Sequence, residues 1–169
     1  MKRLIFLLIT VALFLTANSN AQFVSVEIGV NGLTCSACTR SVEMSIRKLD
    51  FVADVQMDLE NTQGTITFKP GSTVDIEKIA KAVVSAGFSV RFLNAVYKTD
   101  STFQVSENYC MSYSGATYQF VKVTAGKMPG NITMKFIGKE FLPADEYKKW
   151  KDSLKAQCKD SKSTYFVTL

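Results

Sequence analysis

The residues with the greatest chemical reach are Cys35 and Cys38, three positions apart in the stretch NGLTCSACTRSVEMSI, Asn31 to Ile46. An alternating apolar run precedes them and a helical run follows. Cys35 is therefore expected in the loop that leaves a strand, and Cys38 in the first turn of a helix. Unpaired backbone N–H groups and the helix dipole favour negative charge there, and Arg40 adds a cation nearby. Such a site stabilises a thiolate, the form that binds metal and attacks disulfides. Three chemistries fit the pair: a claw for a metal ion, a thiol–disulfide redox couple, or a disulfide that blocks metal binding.

The chain has no histidine, which removes the commonest general base and the commonest metal ligand. Two thiolates without an imidazole suit a soft ion. Cu(I) accepts two sulfurs in near-linear coordination, and Hg(II) does the same, whereas zinc asks for four ligands. Leu33 and Thr34 precede Cys35, so the loop adds no adjacent carboxylate. Leu33 is expected to pack beneath the loop as an apolar plug. An open two-ligand site also suits transfer, because an incoming thiolate can attach before the old ones leave. Neither a glycine-rich phosphate loop nor a recognisable paired-carboxylate motif is present, so the reading is not an enzyme.

The elements that must position the pair are legible from Phe23 to Leu93. Val24, Val26, Ile28 and Val30 alternate, as in a half-buried strand. Val42, Ile46 and Leu49 recur at helical spacing over Ser36 to Leu49. Val55, Met57 and Leu59 alternate with Asp54, Gln56 and Asp58 in a second strand. NTQG then reads as a hairpin turn, with Gly64 free to take positive φ, and TITFK as the partner strand. A Ser72, Thr73 and Asp75 cluster caps a second helix whose inner face is Ile76, Ile79, Ala80 and Val83, and Gly87 ends it. FSVRF makes a fourth strand. Strand, helix, strand, strand, helix, strand is the split βαβ order, two helices on one face of an antiparallel sheet. The fold class is α+β.

Beyond Asn94 the signals loosen. TFQVSE, TYQFVKV, NITMKFIG and TYFVTL read as strands, and MPGN as a turn. One helix is expected from Pro143 to about Gln157, with Tyr147, Trp150, Leu154 and Cys158 along one face and Lys148, Lys149, Lys151 and Lys155 along the other. This gives a small β-rich domain with one helix over residues 95–169, after a domain over residues 22–94. Cys110 and Cys158 are expected to form a disulfide, closing a long loop worth about 4 kcal/mol in the chain-entropy argument. The alternative is that Cys110, beside Met111, supplies a second soft-metal ligand. Packing explains the methionines best.

At the start of the chain, Lys2 and Arg3 precede an apolar run from Leu4 to Ala17, and Ser19 and Ala21 are the small residues of a cleavage site. Residues 1–21 read as a signal peptide cleaved after Ala21, so the expected location is exported, periplasmic or secreted, with no stable membrane insertion afterwards. Removing Lys2 and Arg3 from the 20 basic side chains leaves a net charge of +3 against 15 acidic ones, too mild to suggest a nucleic-acid partner.

Residues 23–93 resemble a heavy-metal-associated domain, the module of copper chaperones, copper-transporting ATPases and the periplasmic mercury-binding protein. The family motif Gly-Met-Thr-Cys-x-x-Cys is matched by Gly32-Leu33-Thr34-Cys35-Ser36-Ala37-Cys38, with leucine in place of methionine. The aromatic after the second helix is matched by Phe88 in AGF. The resemblance implies a ferredoxin-like βαββαβ fold, Cys35 and Cys38 as metal ligands, and Leu33, Thr34 and Phe88 as the residues that shape the site. It also implies Cu(I) as cargo, with Hg(II) or Zn(II) as alternatives, and a metal donor or acceptor as partner, such as a metal-transporting ATPase or efflux system. The competing readings are a non-metal interaction module with a disulfide at Cys35–Cys38, and a thiol–disulfide redox module.

Overall fold

The computed structural model describes residues 22–158 and 163–169; the leader assigned to residues 1–21 lies outside them. The first half follows the expected order: β1 (Gln22–Asn31), α1 (Ser36–Arg47), β2 (Val52–Asp58), β3 (Gln63–Phe68), α2 (Ile76–Ser85) and β4 (Ser89–Thr99). β1 lies between β3 and β4 and runs antiparallel to both, and β2 pairs with β3. The alternation of β1 and the periodicity of both helices meet in one core. Val26, Ile28, Val30, Val42, Ile46, Ile66, Ile79 and Val83 are all fully buried. Each such side chain contributes about 1.5–3 kcal/mol of transfer free energy. Asp75 caps α2 by accepting a hydrogen bond from Lys78 N, and Gly87 takes positive φ at its end.

Several local expectations are corrected. Val24 is exposed and Phe23 is buried in its place. The β1–β4 register shifts between Phe23 and Ser25, and the extra residue of a bulge reverses which side chains face inward. Leu59 falls just after β2 ends and is exposed. The hairpin turn lies two residues earlier than read: Gly64 is already in β3, and Thr62 takes the left-handed conformation with φ 51°. Met44, at the edge of the apolar stripe of α1, is exposed.

The second half is β-rich with one helix. It contains β5 (Gln104–Val105), β6 (Cys110–Tyr113), β7 (Ala116–Phe120), β8 (Gly126–Lys127), β9 (Gly130–Ile137), α3 (Ala144–Trp150) and β10 (Thr164–Thr168). α3 is shorter than the pattern suggested: a single 3-10 turn follows it at Lys151–Ser153, and Cys158 lies beyond in irregular chain. β5 and β8 form a separate two-stranded ribbon.

β4 is longer than FSVRF. It carries the chain through residues 94 and 95 without a break and pairs its outer edge with β9, from Asn94 opposite Lys135 to Thr99 opposite Gly130. One sheet of eight strands results, in the order β2-β3-β1-β4-β9-β10-β7-β6. Only the β7–β10 pair in it is parallel. The pairing covers what would otherwise be an exposed edge strand, a template for aggregation.

Aromatic rings join the two halves. Phe23 meets Tyr97, Tyr113 and Tyr118 edge-on, with centroids 5.2, 5.2 and 5.6 Å apart. Each such pair adds about 0.5–1.5 kcal/mol beyond area burial. Burial pushes the Tyr97 phenol up to about 12, so it stays neutral. A polar contact adds to the join: the Tyr165 hydroxyl donates to Glu77 Oε2 at 3.0 Å. Glu77 also pairs with Lys81 at 2.6 Å. Lys81 foremost, with Tyr165 helping, holds the Glu77 carboxyl below its ordinary range.

A depressed carboxylate pKa stabilises the fold above the ordinary carboxylate range and loses that contribution as the pH falls through the lowered value. Tyr165→Phe is therefore expected to cost about 1–2 kcal/mol in urea unfolding at pH 7. The gap from wild type should narrow below about pH 4 as Glu77 takes up a proton. A gap that is constant with pH would show that the hydroxyl does not act through Glu77.

Candidate metal-binding site

The cysteine loop springs from the end of β1 and closes at the first turn of α1. Gly32 takes φ 90°, which lets the chain turn out of the strand. The Phe88 ring lies 3.4 Å from where a Cβ on Gly32 would stand, so the loop rests against that ring. Leu33 is buried beneath the loop, Thr34 and Cys35 are exposed, and Cys38 is half-buried.

Cys35 is the N-cap of α1 in extended conformation, and its Sγ accepts a hydrogen bond from Cys38 N at 3.2 Å. The backbone N and side-chain Oγ1 of Thr39 both donate to the Cys35 carbonyl, at 3.1 and 3.2 Å. Thr39 was missed in the sequence, although a hydroxyl four residues after a helix cap is a readable signal. No acidic residue stands in the first turn of α1. Arg40 is exposed and lies 3.7 Å from Glu43. Further along, Arg47 pairs with Glu43 and Asp54 at 2.7 and 2.9 Å and donates to the Val55 carbonyl, tying α1 to β2.

Cys35 and Cys38 are joined as a disulfide, with Cα atoms 5.2 Å apart. In that state neither sulfur can ligate a metal. A two-electron reduction by an external dithiol restores the two thiols, each of which sheds its proton on binding a soft ion. The helix terminus that now donates Cys38 N–H to sulfur would stabilise the thiolates. Among the described residues no three Cys, Asp or Glu side chains converge on one centre. A four-coordinate zinc would therefore need ligands from a second molecule.

Cys110 and Cys158 form the expected disulfide, 48 residues apart with Cα atoms at 5.8 Å. The fully buried Gln119 fixes the segment around it. Its Nε2 donates to Asn108 Oδ1 and to the Lys155 carbonyl, and its Oε1 accepts from Gln157 N. Met111 is buried in the core, so its thioether is packed away. A cleft of about 620 Å³ lies at the far end of α1 from the cysteine loop, between Lys48–Phe51, the start of α2, Tyr118 and Tyr165. It takes no part in the cysteine site.

A profile of the heavy-metal-associated domain matches residues 27–89. The mercuric transport protein periplasmic component of Pseudomonas fluorescens is 36% identical over 64 residues, which are 38% of this chain and 69% of that protein. The chain belongs to the heavy-metal-associated domain family.

Copper-transporting ATPase 1 of Rhizobium meliloti (strain 1021) is 40% identical over 65 residues, 38% of this chain. The match spans only 8% of that ATPase. Among solved structures, oxidized MerP from Ralstonia metallidurans CH34 is 34% identical, with 42% of this chain and 97% of that chain aligned at a TM-score of 0.35. The heavy-metal-associated part thus accounts for less than half of this chain, and residues beyond 89 lie outside the profile match.

The two disulfides differ in their setting. One closes an exposed loop, and the other spans 48 residues beside a buried glutamine clamp. Limiting dithiothreitol on the native protein is expected to free two thiols first, both in the peptide that holds Cys35 and Cys38, as read by alkylation and mass spectrometry. First release of Cys110 and Cys158 would reverse this assignment.

Proposed function

We propose that this is an exported carrier of soft metal ions, with Cu(I) as its cargo and Cys35 and Cys38 as the ligands. The observation that carries the reading is the cysteine pair at the N-terminus of α1, in a chain that belongs to the heavy-metal-associated domain family. Hg(II) is the alternative cargo, since both ions accept two sulfurs in near-linear geometry, and Zn(II) is less suited to two ligands. The relatives' names point to both copper and mercury.

Capture begins with the reduced pair. Thr39 holds the Cys35 carbonyl, Leu33 supports the loop from below, and Phe88 shields one side. A donor's thiolates and these two share the ion, which is released one bond at a time to an acceptor. The acceptor is a metal-transporting ATPase or an efflux system. Among the described residues no helix is long and apolar enough to cross a membrane, and the basic head and apolar run of residues 1–21, read as a signal peptide, favour export. The role is carriage, without a bond made or broken in a substrate other than the metal–sulfur bonds.

The Cys35–Cys38 disulfide favours a second reading, a thiol–disulfide redox module. One titration separates the two. The mature protein is reduced and titrated anaerobically with Cu(I) against a chromogenic chelator, beside a Cys35→Ser/Cys38→Ser variant. Tight binding of about one equivalent that vanishes in the variant is the expected result. Failure to compete for Cu(I) with both thiols free would sink the copper reading. Disulfide reductase activity lost in the same variant would establish the redox one.

A further inference from the structure

β1 and β4 run side by side up to the metal loop, and their register slips just before it. Gly29 faces Phe92 and Val30 faces Val90, so Arg91 is the extra residue of a β-bulge. Neighbouring residues of a regular strand point to opposite faces. Here the bulge brings Arg91 and Phe92 together, with the guanidinium carbon 5.0 Å from the ring centroid. Phe92 lies where a Cβ on Gly29 would be, so the ring sits directly on the backbone of β1.

From this bulge Arg91 reaches the β2–β3 turn. Its Nη2 donates to the Asn61 carbonyl at 2.9 Å, to Thr62 Oγ1 at 3.2 Å and to the Thr62 carbonyl at 3.4 Å. The Thr62 carbonyl also accepts Val30 N at 2.9 Å. Val30 is the last buried residue of β1, and Asn31 and Gly32 lead straight into the cysteine loop. One carbonyl thus joins the bulge, the turn and the root of the loop. Thr62 holds a left-handed φ of 51°, an unfavourable conformation for a β-branched residue that persists only when its surroundings impose it.

Among the described residues Arg91 has no carboxylate partner, and its buried Nε makes no hydrogen bond there. A half-buried guanidinium held by neutral oxygens alone is a poor arrangement for stability.

We propose that Arg91 is a positioning residue for the metal loop. By pinning Thr62, and through its carbonyl the end of β1, it fixes the direction in which Gly32 to Cys38 leave the sheet. The proposal rests on the metal-carrier reading, and its test has a readout that needs no metal. Amide hydrogen exchange of the mature, disulfide-intact protein is compared among wild type, Arg91→Met and Arg91→Lys. Cu(I) competition is then measured on the reduced forms.

In Arg91→Met the amides from Val30 to Cys35 are expected to exchange about tenfold faster or more, while those around Met134 in β9 keep their wild-type rates. Cu(I) affinity should fall by about tenfold. Arg91→Lys should recover part of both, because an ammonium can still reach one turn carbonyl. Unchanged loop exchange in a folded Arg91→Met protein overturns the proposal, as does faster exchange with wild-type Cu(I) affinity. If Arg91→Met does not fold, Arg91→Lys decides by the same two measures: loop exchange and affinity both at wild-type values overturn it. If wild type itself fails to bind Cu(I), the carrier reading falls, and loop exchange alone still reports whether Arg91 holds the loop.

Discussion

The structure depends on β4 having both of its edges occupied. On one side it pairs with β1 and completes the βαββαβ sheet; on the other it pairs with β9. The first ladder sets where the metal loop leaves β1. The second attaches the C-terminal half to that same frame, so the loop is anchored in a sheet of eight strands and not four. The aromatic contacts of Phe23 with Tyr97, Tyr113 and Tyr118 follow from this geometry, because the bulge at Val24 turns Phe23 inward just where the second half closes over β1 and β4.

Around the metal loop the physical requirements conflict. The proposed capture site needs exposed sulfurs, yet two thiols this close readily join each other, as they do here. The fold meets this by giving the loop little else that can change. Leu33 is buried, Gly32 lies against Phe88, and the Cys35 carbonyl is held twice by Thr39. The helix terminus that donates to sulfur in the disulfide is the same group that would favour thiolates after reduction.

The sequence was informative where local rules dominate. Alternation in β1, helical spacing in α1 and α2, the Asp75 cap and the Gly87 stop all follow from a few neighbouring residues, and so does the placement of Cys35 and Cys38. It failed where partners are distant or register slips. Val24 was assigned to the inner face because a bulge leaves no mark on an alternating pattern. Thr62, not Gly64, took positive φ because the turn is fixed by Arg91 and Val30 from two other strands. The length of β4 and its pairing with β9 were invisible for the same reason, since the hydrogen bonds that extend the strand come from residues 31 to 41 positions away. α3 stopped at Trp150 although its stripe ran on to Cys158, because the disulfide and the Gln119 clamp direct that segment across β7.

The place of β10 in the sheet carries a further meaning. It follows α3 in sequence, yet it lies between β9 and β7, not at an edge. The first six elements all lie within residues 22–99 and can assemble as soon as that stretch is available. The outer half of the sheet cannot close until residues 164–168 arrive, because β7 and β6 have no other route to β9. In a chain delivered from its N-terminus, assembly therefore has an imposed order, with β10 acting as the keystone.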